Sequence, residues 1–130
     1  MPVGWEIRGA ILRLSFVGVV EKEEIERAIA EALSDPRAHR GMRLLWDARR
    51  SATPVSADDI AWRLELVSRF ADQGLFTRAA LLFGDTHRAT AAVFEPEISR
   101  SPLRLPGATF TDEAEALAWL EGPAADPGPR

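Results

Sequence analysis

Residues 108–121 read Ala-Thr-Phe-Thr-Asp-Glu-Ala-Glu-Ala-Leu-Ala-Trp-Leu-Glu. A short apolar strand over 108–110 meets a polar cap at Thr111, and an amphipathic helix follows. Ala114, Leu117 and Ala118 are expected to face inward from it. This strand-then-helix grammar recurs through the chain and decides the fold class.

Upstream, residues 78–83 (Arg-Ala-Ala-Leu-Leu-Phe) predict a strand buried on both faces. Gly84-Asp85-Thr86 turns into a helix carrying Ala89, Ala92 and Val93, which Pro96 ends or kinks. A Pro- and Arg-containing loop spans 99–107. Residues 43–47 (Arg-Leu-Leu-Trp-Asp) are another doubly apolar strand, followed by a loop over 48–55. Ser56 is the expected N-cap of a second helix, with Asp58 and Asp59 in its first turn and Gly74 as terminator. The clearest helix covers 21–34. Ile25, Ala28, Ile29, Ala32 and Leu33 repeat at helical spacing, and Asp35-Pro36 stops it. Before it, residues 5–8 and 10–17 predict two strands bent at Gly9. Leu12, Leu14 and Phe16 alternate with Arg13 and Ser15, giving a buried face and a wetter one. The order is ββαβαβαβα: an α/β domain over 1–121 with a mostly parallel five-stranded sheet, four helices and an antiparallel first strand. Residues 122–130, rich in Pro, Gly and Ala, form the expected disordered tail.

Composition narrows the function classes. The 130 residues suit one domain with a real core. A net charge of −4 argues against a nucleic-acid partner. No cysteine is present, so disulfides and zinc–thiolate sites are excluded. The two histidines, His39 and His87, are far apart, so no metal is expected. No signal-peptide pattern or membrane-spanning run occurs, and the expectation is a cytoplasmic protein with no integral membrane segment.

Several segments carry a resemblance. They are Phe16-Val-Gly-Val-Val-Glu-Lys-Glu-Glu, Asp35-Pro36, Leu44-Leu-Trp-Asp-Ala-Arg49, Arg78-Ala-Ala-Leu-Leu and Phe110-Thr-Asp-Glu-Ala-Glu-Ala-Leu-Ala-Trp-Leu120. Over residues 5–121 the chain resembles the small bacterial SpoIIAA-like proteins of the STAS-like superfamily, distantly similar to CRAL-TRIO domains. The resemblance implies the STAS-like α/β fold, and no cofactor follows from the sequence. Phosphorylatable members carry an Asp-Ser-Ser-Gly-like motif before the second helix. Here residues 51–59 read Ser-Ala-Thr-Pro-Val-Ser-Ala-Asp-Asp, without the Asp-Ser pair or the Gly. Ser56 is the nearest counterpart, and the switching role does not carry over with it.

Three constellations are candidates for function. The strands' C-terminal rim gathers Asp47, Arg49, Arg50 and Ser51 with Asp85, Thr86, His87 and Arg88. Arg49, Arg50, Thr86 and Arg88 form a possible anion-binding rim, against the ordinary reading of a solvated ion-paired edge. Ser56 is a possible phosphosite, where a phosphate would meet the helix dipole but face Asp58 and Asp59. Its ordinary reading is a plain N-cap. On the second helix, Ile60, Leu64, Val67 and Ala71 make one apolar stripe. Trp62, Leu66 and Phe70 make a second, either covered by neighbouring segments or open to a partner. A serine, His87 and an aspartate do not make a hydrolase motif, because no Gly-x-Ser-x-Gly elbow is present. The expectation is a non-catalytic domain. It binds a protein partner or a second copy through Trp62, Leu66 and Phe70. The alternative is a carrier or sensor of a small apolar or acidic ligand, held in a cavity lined by Trp62, Phe70 and Phe94.

Overall fold

The computed structural model describes residues 3–52, 57–84 and 105–122, with the backbone alone over 57–60. Two strands form an antiparallel hairpin, β1 (Val3–Arg8) and β2 (Ile11–Gly18), turned at Gly9. Helix α1 (Lys22–Leu33), strand β3 (Met42–Ser51), helix α2 (Ala57–Asp72), strand β4 (Phe76–Leu82), strand β5 (Gly107–Phe110) and helix α3 (Glu113–Glu121) follow. The sheet order is β1-β2-β3-β4-β5, parallel from β2 onward. The expected α/β class and antiparallel first strand are what the chain forms. The expected helix carrying Ala89, Ala92 and Val93 lies outside the described residues, as does the tail beyond Gly122.

Each crossover from β2 to β3 and β3 to β4 moves one strand in the same direction, so its helix lands on the same face. That face holds the larger core. Leu12, Leu14 and Phe16 of β2 join Leu44 and Trp46 of β3 and Ala79 and Leu81 of β4. Ile25, Ala28, Ile29 and Ala32 of α1 and Leu64, Leu66 and Val67 of α2 close over them. Phe16 and Trp46 rings meet at 4.7 Å. Helix α1 starts where the Glu21 N–H donates to Glu24 Oε1 at 2.8 Å, which satisfies one donor the helix leaves unpaired. Gly74, at φ +78, ends the α2 turn in a conformation that favours glycine.

The second face has a smaller core of Leu45, Ala80, Leu82, Ala116 and Leu120, with α3 packed on β3, β4 and β5. Helix α3 has no basic residue in its last turn. Its terminal carbonyls are met from the sheet instead. Arg43 Nη1 donates to the Leu120 carbonyl at 2.5 Å, and Arg78 Nη1 donates to that of Trp119. Arg78 also lies 4.7 Å from the Trp119 ring centroid. Two cations thus sit at the negative end of the helix dipole.

Three expectations are corrected. Strand β3 does not stop at Asp47 but continues to Ser51, because β2 pairs with it to the Gly18–Ser51 step. The cap of α3 is Asp112, whose side chain accepts from the Glu115 N–H at 3.2 Å, and not Thr111. With the helix phased from there, Ala116 and Leu120 are buried, while Ala114 and Ala118 are exposed and Leu117 is half-buried.

Candidate functional site

Strands β2 and β3 run parallel, so their C-terminal ends share a rim. The pairing slips there. Ser15 lies opposite Asp47, yet Val17 lies opposite Arg50. The extra residue in β3 is a β-bulge, a device that re-aims side chains. In an unbroken strand Asp47 and Arg49 would share one face and Arg50 would take the other. Past the bulge, Arg50 pairs with Val17 and falls on the side of Asp47 and Ser15. Arg13, Ser15, Phe16, Val17, Asp47, Arg49 and Arg50 consequently line one cavity of about 380 Å³.

The floor of this cavity is an ion network. Asp47 Oδ2 accepts from Arg13 Nη2 at 2.6 Å and from Arg49 Nη2 at 2.8 Å. Asp47 Oδ1 accepts from Arg49 Nε at 2.9 Å and from the Arg49 backbone N–H at 3.2 Å. Glu113, in the first turn of α3, accepts from Arg13 Nη1 at 2.8 Å and Arg49 Nη2 at 3.0 Å. Burial pushes the Asp47 carboxyl up, but the hydrogen bonds from Arg49 and Arg13 outweigh it and leave it below the usual carboxylate range. Glu113 is held low chiefly by its hydrogen bond from Arg13. Both arginines are raised, Arg13 chiefly by Glu113 and Arg49 chiefly by Asp47. All four groups are therefore charged at neutral pH. Such groups orient and attract, but they are poorly matched to moving protons, which needs a pKa near the working pH.

Arg50 is different. It is exposed and makes no ion pair among the described residues. Val17 and Val19 are the exposed large hydrophobics among the described residues, at 49% and 62%. They flank Gly18, whose φ of +71 swings the chain from β2 toward α1. A second, smaller cavity of about 170 Å³ lies along the same face, lined by Glu6, Arg8, Ile11, Arg13, Leu45, Glu113, Leu117 and Glu121.

The expected site residues separate. Arg49 and Arg50 meet in the cavity. Thr86, Arg88, Asp85, His87 and Ser56 lie outside the described residues. His39 is exposed before β3 begins, at the opposite end of that strand from the rim. The expected second stripe on α2 is not an open surface. Leu66 is buried at 2% and belongs to the main core, with Trp62 and Phe70 half-buried against it. The reason is breadth. Arg63, Leu64, Leu66, Val67 and Ser68 are all buried, so α2 sinks one wide arc into the protein. Only Ala61, Glu65, Arg69 and Asp72 are exposed along the opposite arc within the helix's described side chains. Two cations lie over the Trp62 ring, Lys22 at 5.4 Å and Arg63 at 5.0 Å from its centroid.

Sequence reasoning did not assign Arg13, Ser15, Val17 or Glu113 to a site. The alternation in β2 was the available signal, since Arg13 and Ser15 stand on its wetter face. Glu113 had none, because nothing local says that it reaches two arginines on distant strands. Among the described residues no helix is long and apolar enough to cross a membrane, and no His/Asp/Glu group is arranged to hold a metal ion.

A model of the family described as SpoIIAA-like matches residues 11–121. No curated protein matches the chain. Among solved structures, the chain is similar to an uncharacterized DUF3478-family protein with a SpoIIAA-like fold from Shewanella loihica PV-4. The two share 21% identity over 91% of each chain, with a TM-score of 0.55. At that identity the likeness bears on the fold alone.

Proposed function

The chain belongs to the SpoIIAA-like family, and from that premise we propose a non-catalytic regulatory or scaffold domain that binds a protein partner or a second copy of itself. The observation that carries the reading is the exposed pair Val17 and Val19 beside the rim cavity. Isolated surface valines are ordinary. These two stand on either side of a glycine-enforced turn, next to the exposed cation of Arg50. An apolar spot rimmed by charge suits a partner with an apolar contact and an acidic flank. Helix α2 contributes at most the half-buried edges of Trp62 and Phe70.

The test is a photo-crosslinking residue at position 19 in cells, with position 115, also exposed, as control. The expected result is one discrete adduct from position 19, absent from position 115 and lost on Val17→Asp. A band at twice the chain's mass identifies a second copy. The same adducts from both positions sink the reading. A carrier of a small acidic molecule is the second reading. It is favoured by the rim cavity; the cavity expected beside Trp62 and Phe70 has Phe94 as its third wall, which lies outside the described residues.

A further inference from the structure

We infer that the rim cavity binds a small organic monocarboxylate, with Arg50 as the residue that grips the carboxylate. The inference deepens the carrier reading and does not depend on any protein partner.

The first support is the bulge. Bulges in parallel pairs are rare, and they recur where a side chain must be redirected. This one brings Arg50 onto the face of Asp47 and Ser15, into a cavity that an unbroken strand would leave to one arginine fewer. The second support is charge. Among the described residues of the cavity and the ion network beneath it, Arg13, Arg49 and Arg50 stand against Asp47 and Glu113, one positive charge in excess. A monocarboxylate cancels it. A phosphate monoester carries nearly two charges at neutral pH and would leave a negative charge beside Asp47.

The third support is the supply of donors. Arg49 uses Nε and Nη2 in the network, and its Nη1 makes no hydrogen bond among the described residues. The Arg50 guanidinium is also open, and a planar fork of this kind matches a carboxylate in two-point contact. The Ser15 hydroxyl lines the same space and makes no hydrogen bond to a described residue. Asp47 and Glu113 already hold Arg13 and Arg49 in place, so the ordering left to do when the anion arrives is that of Arg50. Val17 and the methylene stems of the arginines offer the ligand's body an apolar wall. A volume of about 380 Å³ is at the small end of ligand sites, so the body is short.

The test is a titration of the purified 130-residue chain, followed by amide NMR, with hexanoate, inorganic phosphate and hexylamine as probes. The expected result is saturable shifts at Ser15, Val17 and Arg50 with hexanoate and none there with hexylamine. Arg50→Gln should weaken hexanoate roughly tenfold or more, the loss of a charge-assisted hydrogen bond. Arg50→Lys should recover part of that, since it keeps the charge and loses the fork. No saturable response to hexanoate overturns the inference. So does an equal response in Arg50→Gln, or phosphate binding as well as hexanoate. Saturable shifts confined to another part of the chain overturn this site while leaving the carrier reading standing.

Discussion

The two faces of the sheet solve different problems with the same strands. Leu44 and Leu45 are neighbours on β3, both fully buried, and they point to opposite sides. Leu44 enters a core shared with α1, α2 and the whole length of β2. Leu45 enters a cluster closed by one short helix, a few residues from an arginine–carboxylate network. The first face is continuous apolar packing, where stability accumulates. The second is a patch of packing beside open charge, where recognition is affordable. A parallel strand buried on both faces does not need both faces to do the same work.

Adjacent leucines therefore give the sharpest way to break the comparison. Leu44→Ala should destabilise by about 4 kcal/mol, toward the upper end for a buried leucine, because its surroundings are locked on every side. Leu45→Ala should cost about 3 kcal/mol, because α3 can settle toward the space left behind. Urea denaturation of both variants measures the difference. Equal losses, or a larger one at Leu45, would mean that the small core is as rigid as the large one.

Asp47→Asn comes next, at about 2 kcal/mol at neutral pH. The partly exposed arginines keep it below the cost of breaking a fully buried pair. Its sign with pH follows from the directions of the shifts. Asp47 and Glu113 lie below their usual values when folded, so their contribution is complete above the unfolded carboxylate pKa of about 4. It is lost as pH falls through the folded values. The raised arginines keep their contribution throughout neutral and mildly alkaline pH. The stability gap between the wild-type chain and Asp47→Asn should be full at pH 7 and shrink below pH 4. A gap that stays constant down to pH 3 would show that the network contributes shape and not charge.

What could be read in advance follows this same division. Hydrophobic periodicity reports burial, so Leu12, Leu14 and Phe16 on β2 and Ile25 to Ala32 on α1 placed themselves. The doubly apolar runs of β3 and β4 likewise announced their central position. The polar continuation of β3 was not legible. Ala48-Arg-Arg-Ser51 has loop composition, and it stays extended because β2 pairs with it and Asp47 and Glu113 neutralise Arg49. Arg49 and Arg50 were recognisable as rim residues. Their common cavity was not, because it needs a bulge that only the register reveals. Trp62, Leu66 and Phe70 misled for a physical reason as well: a helix wedged deeply buries an arc wide enough to look like two stripes.

The capping arginines of α3 test the second face at lower cost. Arg78→Met keeps the stem over Trp119 and removes the donor to that residue's carbonyl. The expected loss is about 1 kcal/mol, the usual worth of a cation at a helix C-terminus. Amide hydrogen exchange should quicken in α3 and stay unchanged in α1. Uniform quickening across both helices would mean that the second face is not a separate unit.

The smallest effect expected on stability is the most informative about function. Val19 is 62% exposed and Val17 49%, so the pair of substitutions Val17→Thr and Val19→Thr should change the unfolding midpoint by less than about 0.5 kcal/mol. Threonine keeps the β-branched shape that the strand end favours and removes the apolar surface. If the rim is where the protein meets its partner, crosslinking through a neighbouring position should fall severalfold while the fold stays intact. A drop in stability comparable to that of Leu45→Ala would place the two valines in the packing instead, and the contrast between a structural face and a recognition face would no longer hold.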